Sequence, residues 1–124
     1  MNLELRSVVA AGDLKNERLT IRVKADSDVG DYLIAKTGVE HGEPTTSISQ
    51  VCWLPYEPVS SGDLVVIYTK EGSPRKRKLK SGKTAHFYYL DLTQPIWDDS
   101  LDGALLLYAP TWEFKSASEL KQQS

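Results

Sequence analysis

One cysteine and two histidines are all the thiol and imidazole groups that this 124-residue sequence holds. Cys52 alone cannot form an intrachain disulfide, which fits a reducing compartment. His41, His86 and Cys52 are not spaced as a ligand pair for zinc. So few histidines also leave no Ser-His-Asp or Cys-His arrangement to argue for. No apolar run approaches the roughly 20 residues that span a bilayer. Glu4 and Arg6 interrupt the apolar start MNLELRSVVAAG, so it does not read as a signal peptide. No segment sustains a 3.6-residue apolar period, and there is no internal repeat. What these absences leave is an intracellular chain without membrane insertion, expected in the cytoplasm, or in the nucleus if the host has one.

The apolar share of 40% against 26% charged residues is that of an ordinary folded chain. Its length suits one core and not two. The most informative stretch is Trp53 to Thr69, WLPYEPVSSGDLVVIYT. It reads as an aromatic-proline corner, a turn at Ser60-Ser61-Gly62-Asp63 and an apolar strand from Leu64 to Tyr68. Around it lie shorter strands: Leu3 to Val9, then Leu19, Ile21 and Val23 alternating with Arg18, Arg22 and Lys24, then Tyr32 to Lys36. Residues 26–31 and Gly38 to Thr46 read as loops by composition. Ser47 to Trp53 reads as an irregular or edge strand. Thr84 to Leu92 is rich in aromatics and high in β-propensity, and Gly103 to Ala109 is the last strong strand.

Seven or eight short strands between turn signals predict an all-β, two-sheet sandwich or small barrel over residues 1–115, followed by a polar tail at 116–124. The inward positions expected from alternation are Leu19, Ile21, Val23, Ile34, Val65, Ile67, Phe87, Tyr89, Leu105 and Leu107.

In order and spacing these pieces resemble the lamin-tail domain family. The resemblance is carried by ERLTIRV at 17–23, VGDYLIAKT at 29–37 with Tyr32 at an aromatic position, and the Trp53-Leu54-Pro55 corner. It continues through Val59-x-x-Gly62-x-Leu64-Val65-Val66-Ile67, and Trp97 followed by Ala104-Leu105-Leu106-Leu107. It covers roughly residues 3 to 114 and implies an immunoglobulin-like sandwich, without catalysis, acting as an adaptor for proteins, nucleic acid or envelope surfaces. No coiled-coil rod precedes the domain, so a filament role is not implied. The basic loop described next has no counterpart in the resemblance.

Charge is distributed unevenly. Residues 70–83, KEGSPRKRKLKSGK, hold Lys70, Arg75, Lys76, Arg77, Lys78, Lys80 and Lys83 against Glu71 alone, a local +6 in a chain of net −2. Such a cluster bears on partners rather than on fold. It can neutralise several phosphates at once, giving salt-sensitive binding without sequence readout, and it has the composition of a nuclear-localisation tag. The plainer reading is a long hairpin kept in solution by charge, and the run itself contains no aromatics to stack bases.

Other motifs fail on inspection. Gly82-Lys83-Thr84 suggests a phosphate loop, but Arg77 stands where that motif needs glycine, and a strand follows instead of a helix. Asp98, Ser100, Asp102 and Gly103 imitate the start of a calcium loop whose closing acid would fall at Ala109. Trp53, Trp97 and Trp112 either line an interaction surface or close the ends of the core. Cys52 beside Trp53 reads as a small buried hydrophobe, and His86 as an exposed strand residue.

The function expected is a non-enzymatic adaptor without cofactor or metal, binding an unidentified protein through loops or a sheet edge. The same edge offers a route to a homodimer. The alternative is a nucleic-acid or anionic-surface binder acting through Arg75, Lys76, Arg77, Lys78, Lys80 and Lys83. An enzyme would need a deep polar pocket with strongly perturbed acids.

Overall fold

In the computed structural model, which describes residues 1–122, the chain is an all-β sandwich with ten strands among the described residues. They are β1 (Leu3–Val9), β2 (Arg18–Val23), β3 (Ser27–Asp28), β4 (Tyr32–Glu40), β5 (Glu43–Trp53), β6 (Pro58–Val59), β7 (Leu64–Tyr68), β8 (Arg75–Lys78), β9 (Thr84–Tyr89) and β10 (Asp102–Tyr108). One sheet runs β1-β2-β7-β9-β8, a second runs β10-β4-β5, and β3 pairs with β6 alone. The apolar strand Leu64–Tyr68 is thus the centre of the larger sheet. A single helical turn, α1 (Ala117–Leu120), is capped by Ser116 through the Glu119 N–H. It lies in the expected polar tail, whose last two residues fall outside the described residues. None of the helices described is long and apolar enough to cross a membrane.

Alternation decides the core. Leu19, Ile21 and Val23 of β2 and Val65 and Ile67 of β7 meet Tyr32 and Ile34 of β4, with Leu54, Val59 and Trp97 closing the ends. These side chains come from both sheets and are almost wholly excluded from water, the arrangement that drives a two-layer fold. A bulge between Leu5 and Ser7 breaks the alternation of β1, so Ser7 faces Thr20 on the outer side, their hydroxyl oxygens 2.6 Å apart.

Four expectations are corrected. Gly38 to Thr46 is not a loop: β4 and β5 run on into a hairpin closed by His41 and Gly42 alone, both at positive φ (54° and 77°), the geometry of a two-residue turn. Phe87 and Tyr89 do not point into the core. β9 lies parallel to β7 with Ile67 beside Tyr88 and Val66 beside Phe87, so Tyr88 and His86 face inward and Phe87 faces out. The same one-residue displacement applies to β10, where Ala104 and Leu106 pack on the core and Leu107 is exposed. His86, expected at the surface, is 4% exposed.

A buried carboxylate ties the loops together. Glu17, at 0% exposure, accepts hydrogen bonds from the N–H groups of Gly12 (2.9 Å), Ile96 (2.8 Å) and Trp97 (3.4 Å) and from the Thr69 hydroxyl. Three chain segments distant in sequence therefore converge on one side chain. Burying a carboxylate is costly unless its lone pairs are filled, and here they are.

Candidate nucleic-acid interface

The basic run is a strand, not a flexible loop. Arg75–Lys78 pairs antiparallel with β9 at the rim of the larger sheet, and Leu79 to Lys83 turns the hairpin, Gly82 standing at φ 86°. Strand alternation then divides its charges into two groups. Arg75 lies opposite Phe87 and Arg77 opposite Ala85, on the outer face; Lys76 lies opposite His86 and turns the other way. Lys76 reaches the Glu57 carboxylate at 3.1 Å and is neutralised there. Lys78 and Lys80 are exposed, and the stem of Lys83 lies so close to Gly62 that a Cβ there would stand 2.8 Å from its Cε. The six basic residues therefore do not act as one cluster. Two of them, Arg75 and Arg77, share a face with something else.

That something is a row of aromatic rings. Tyr68 of β7 and Tyr89 of β9 sit in register and stack at 5.5 Å, 11° from parallel, while Phe87 lies 6.4 Å from Tyr68 at 23°. Cations cover these rings: the Arg75 guanidinium 4.5 Å and the Arg77 guanidinium 5.3 Å from the Phe87 centroid, Lys70 Nζ 4.7 Å and the Arg18 guanidinium 5.7 Å from that of Tyr68. Arg75 Nε also donates to the Tyr89 hydroxyl at 3.3 Å. Gly72 makes room for the tyrosine, since a Cβ there would meet the Tyr89 ring at 2.4 Å. Beside the rings lies an open cleft of about 500 Å³ whose lining includes Arg6, Arg18, Tyr68, Arg77, Leu79 and Phe87.

Among the described residues, none of Arg6, Arg18, Lys70, Arg75 and Arg77 has a carboxylate within salt-bridge distance. Five cations without acidic partners on one sheet face concentrate positive charge there in a chain of net −2. Comparison with known protein families and with curated protein sequences finds no match to this chain. The functional reading therefore rests on this geometry. Lys70 belonged to the basic segment seen in the sequence, whereas Arg6, Arg18, Tyr68, Phe87 and Tyr89 were not singled out as site residues. The signal that could have found them is parity, because β7, β8 and β9 each place alternate members of their rows on this one face.

Behind the platform, His86 is a strut. Its Nε2 is 2.9 Å from Asp63 Oδ2 and its Nδ1 3.4 Å from Glu57 Oε1. Asp63 also accepts from the N–H groups of Ser60 and Thr84, each at 3.0 Å. Burial alone would raise the Asp63 carboxyl. The bonds from the Ser60 N–H, His86 and the Thr84 N–H outweigh that and hold it below the ordinary carboxylate value. The trio locks the turn before β7 to the inner side of β9, and with both ring nitrogens engaged the imidazole has little left to offer a substrate.

The three tryptophans part company. Trp97 is a core residue, 8% exposed, and so no part of an interaction surface. Trp53 and Trp112 meet edge to face at 5.0 Å, half-exposed, with Tyr56 against Trp53 and its hydroxyl accepting from Trp112 Nε1 at 3.0 Å. Trp53 Nε1 donates to the Gly30 carbonyl at 2.8 Å. Cys52 is half-buried against the core, and that burial pushes its thiol up.

Proposed function

We propose that this chain is a non-catalytic interaction module that binds a polyanion on the outer face of its larger sheet. The observation that carries the reading is the set of five unpaired cations, four of them lying over the stacked rings of Tyr68 and Phe87. An arginine kept for solubility projects into water; these are held in place with no carboxylate opposite. The chain is further read as an immunoglobulin-like sandwich of the lamin-tail kind. That reading is supported by the Trp53-Leu54-Pro55 corner, the Gly62 turn leading into β7, and Trp97 in the core ahead of β10.

The test is binding of labelled DNA and of anionic vesicles at about 50 and 200 mM salt, comparing the natural chain with one carrying Arg75→Ser and Arg77→Ser. Binding that weakens with salt and drops in the variant supports the reading. Absence of salt-dependent binding to every polyanion sinks it. A second reading, a protein adaptor, is favoured by one observation: Trp53, Tyr56 and Trp112 form an exposed aromatic group beside the unshared edge of β5, where Ile48 and Val51 also face solvent. A partner could add a strand there.

A further inference from the structure

Resting on the polyanion reading above, we infer that the ligand of this face is single-stranded nucleic acid, with its bases laid against the arginine planes and tyrosine rings and its phosphates on the surrounding cations. A duplex keeps the faces of its bases stacked inside and a lipid surface has none, so neither makes use of an exposed ring or guanidinium plane. Here the cations nearest the rings are mainly arginines, three of the four. A guanidinium 4.5 Å above Phe87 and bonded through Nε to Tyr89 is held over the ring, with less rotamer freedom to lose on binding. Guanidinium planes and aromatic rings are the surfaces on which unstacked bases lie, whereas bases inside a duplex are already stacked on each other.

Dimensions agree. The face crosses five strands from β1 to β8, about 19 Å at the usual strand spacing. Sheet-borne aromatics typically stack two or three bases. The cleft of about 500 Å³ between Arg6, Arg18 and Arg77 lies within the roughly 300–1,000 Å³ range that accepts ring-bearing ligands. Phe87 is the foundation of the stack, 5% exposed, and Tyr68 and Tyr89 are its partly buried members, each less covered than Phe87. Contact with four or five phosphates predicts that affinity falls roughly 50- to 130-fold between about 50 and 200 mM salt.

The experiment uses fluorescence anisotropy of the full chain with four probes: a 12-nucleotide oligo-dT, an abasic strand of equal length, a 12-base-pair duplex and phosphatidylserine vesicles. The decisive variant is Arg75→Lys with Arg77→Lys, which keeps every charge and removes both planes. Tyr68→Leu is the second, with circular dichroism and a thermal melt to confirm that each variant folds. Expected are binding of oligo-dT at least tenfold tighter than of the abasic strand and the duplex, and a loss of that preference in both variants while abasic binding persists. Equal binding of oligo-dT, abasic strand and duplex, or preference for vesicles, overturns the inference and leaves the polyanion reading intact. A preference for oligo-dT that survives both variants also overturns it, since the bases are then read elsewhere. No binding of any probe removes both readings.

Discussion

Replacing Glu17 by alanine should be among the most damaging single substitutions in this protein. The side chain is wholly buried and receives three backbone N–H groups and the Thr69 hydroxyl. Truncation leaves those donors facing a hole. The Trp97 bond, at 3.4 Å, is the weakest and can be discounted. The other three donors each carry a penalty of about 1–1.5 kcal/mol after partial relaxation, a loss of about 3–5 kcal/mol in all. Domains of this size have about 5–15 kcal/mol in total, so the variant should be folded but fragile. With a urea slope of about 1.5–2 kcal/mol per molar, its unfolding midpoint should fall by roughly 2 M with the slope unchanged. Glu17→Gln should lie between, because its amide nitrogen points a donor at donors. A shift of under about 0.5 M for the alanine variant would refute the reasoning and mean that water replaces the carboxylate at no cost.

Asp63→Asn removes a carboxylate whose folded value is depressed below 3.8 by its hydrogen bonds. The sign follows: the stability Asp63 contributes is complete above its unfolded value and fades as pH falls through the lower folded one. The variant should therefore lose about 2 kcal/mol at neutral pH. The gap from the natural chain should narrow below pH 3.8, and urea midpoints that stay equally separated across that range would contradict the assignment. Cys52, whose thiol is raised above 9.0 by burial, should react with a disulfide reagent at pH 8 at least about tenfold more slowly in the native chain than in urea. Equal rates would place the thiol in water.

Where hydropathy contrasts sharply between faces, the sequence was legible. Arg18 to Val23 alternates charged with apolar residues, and Leu64 to Tyr68 follows a glycine turn; both strands and their core residues stand where expected. Thr84 to Tyr89 offers no such contrast, since rings occupy both faces, so its orientation waits on pairing with β7. The β4–β5 hairpin was hidden by polar composition in Gly38 to Thr46, a stretch whose backbone bonds and not its side chains hold the strand. The candidate site was half visible. Its charges were obvious as a run, but the rings that give them meaning lie in β7 and β9, and no window along the chain contains the whole face.

Strand β8 has a consequence of another kind. All four of its residues are exposed, and it is held to β9 by main-chain pairing that nearly every residue but proline permits. Substitution there therefore has little effect on whether the protein folds, while changes at Arg75 and Arg77 alter the charge of the outer face. On the polyanion reading, part of the ligand preference then rests on a segment under light structural selection. Substitutions at Arg75 and Arg77 would then retune that preference without first destabilising the scaffold.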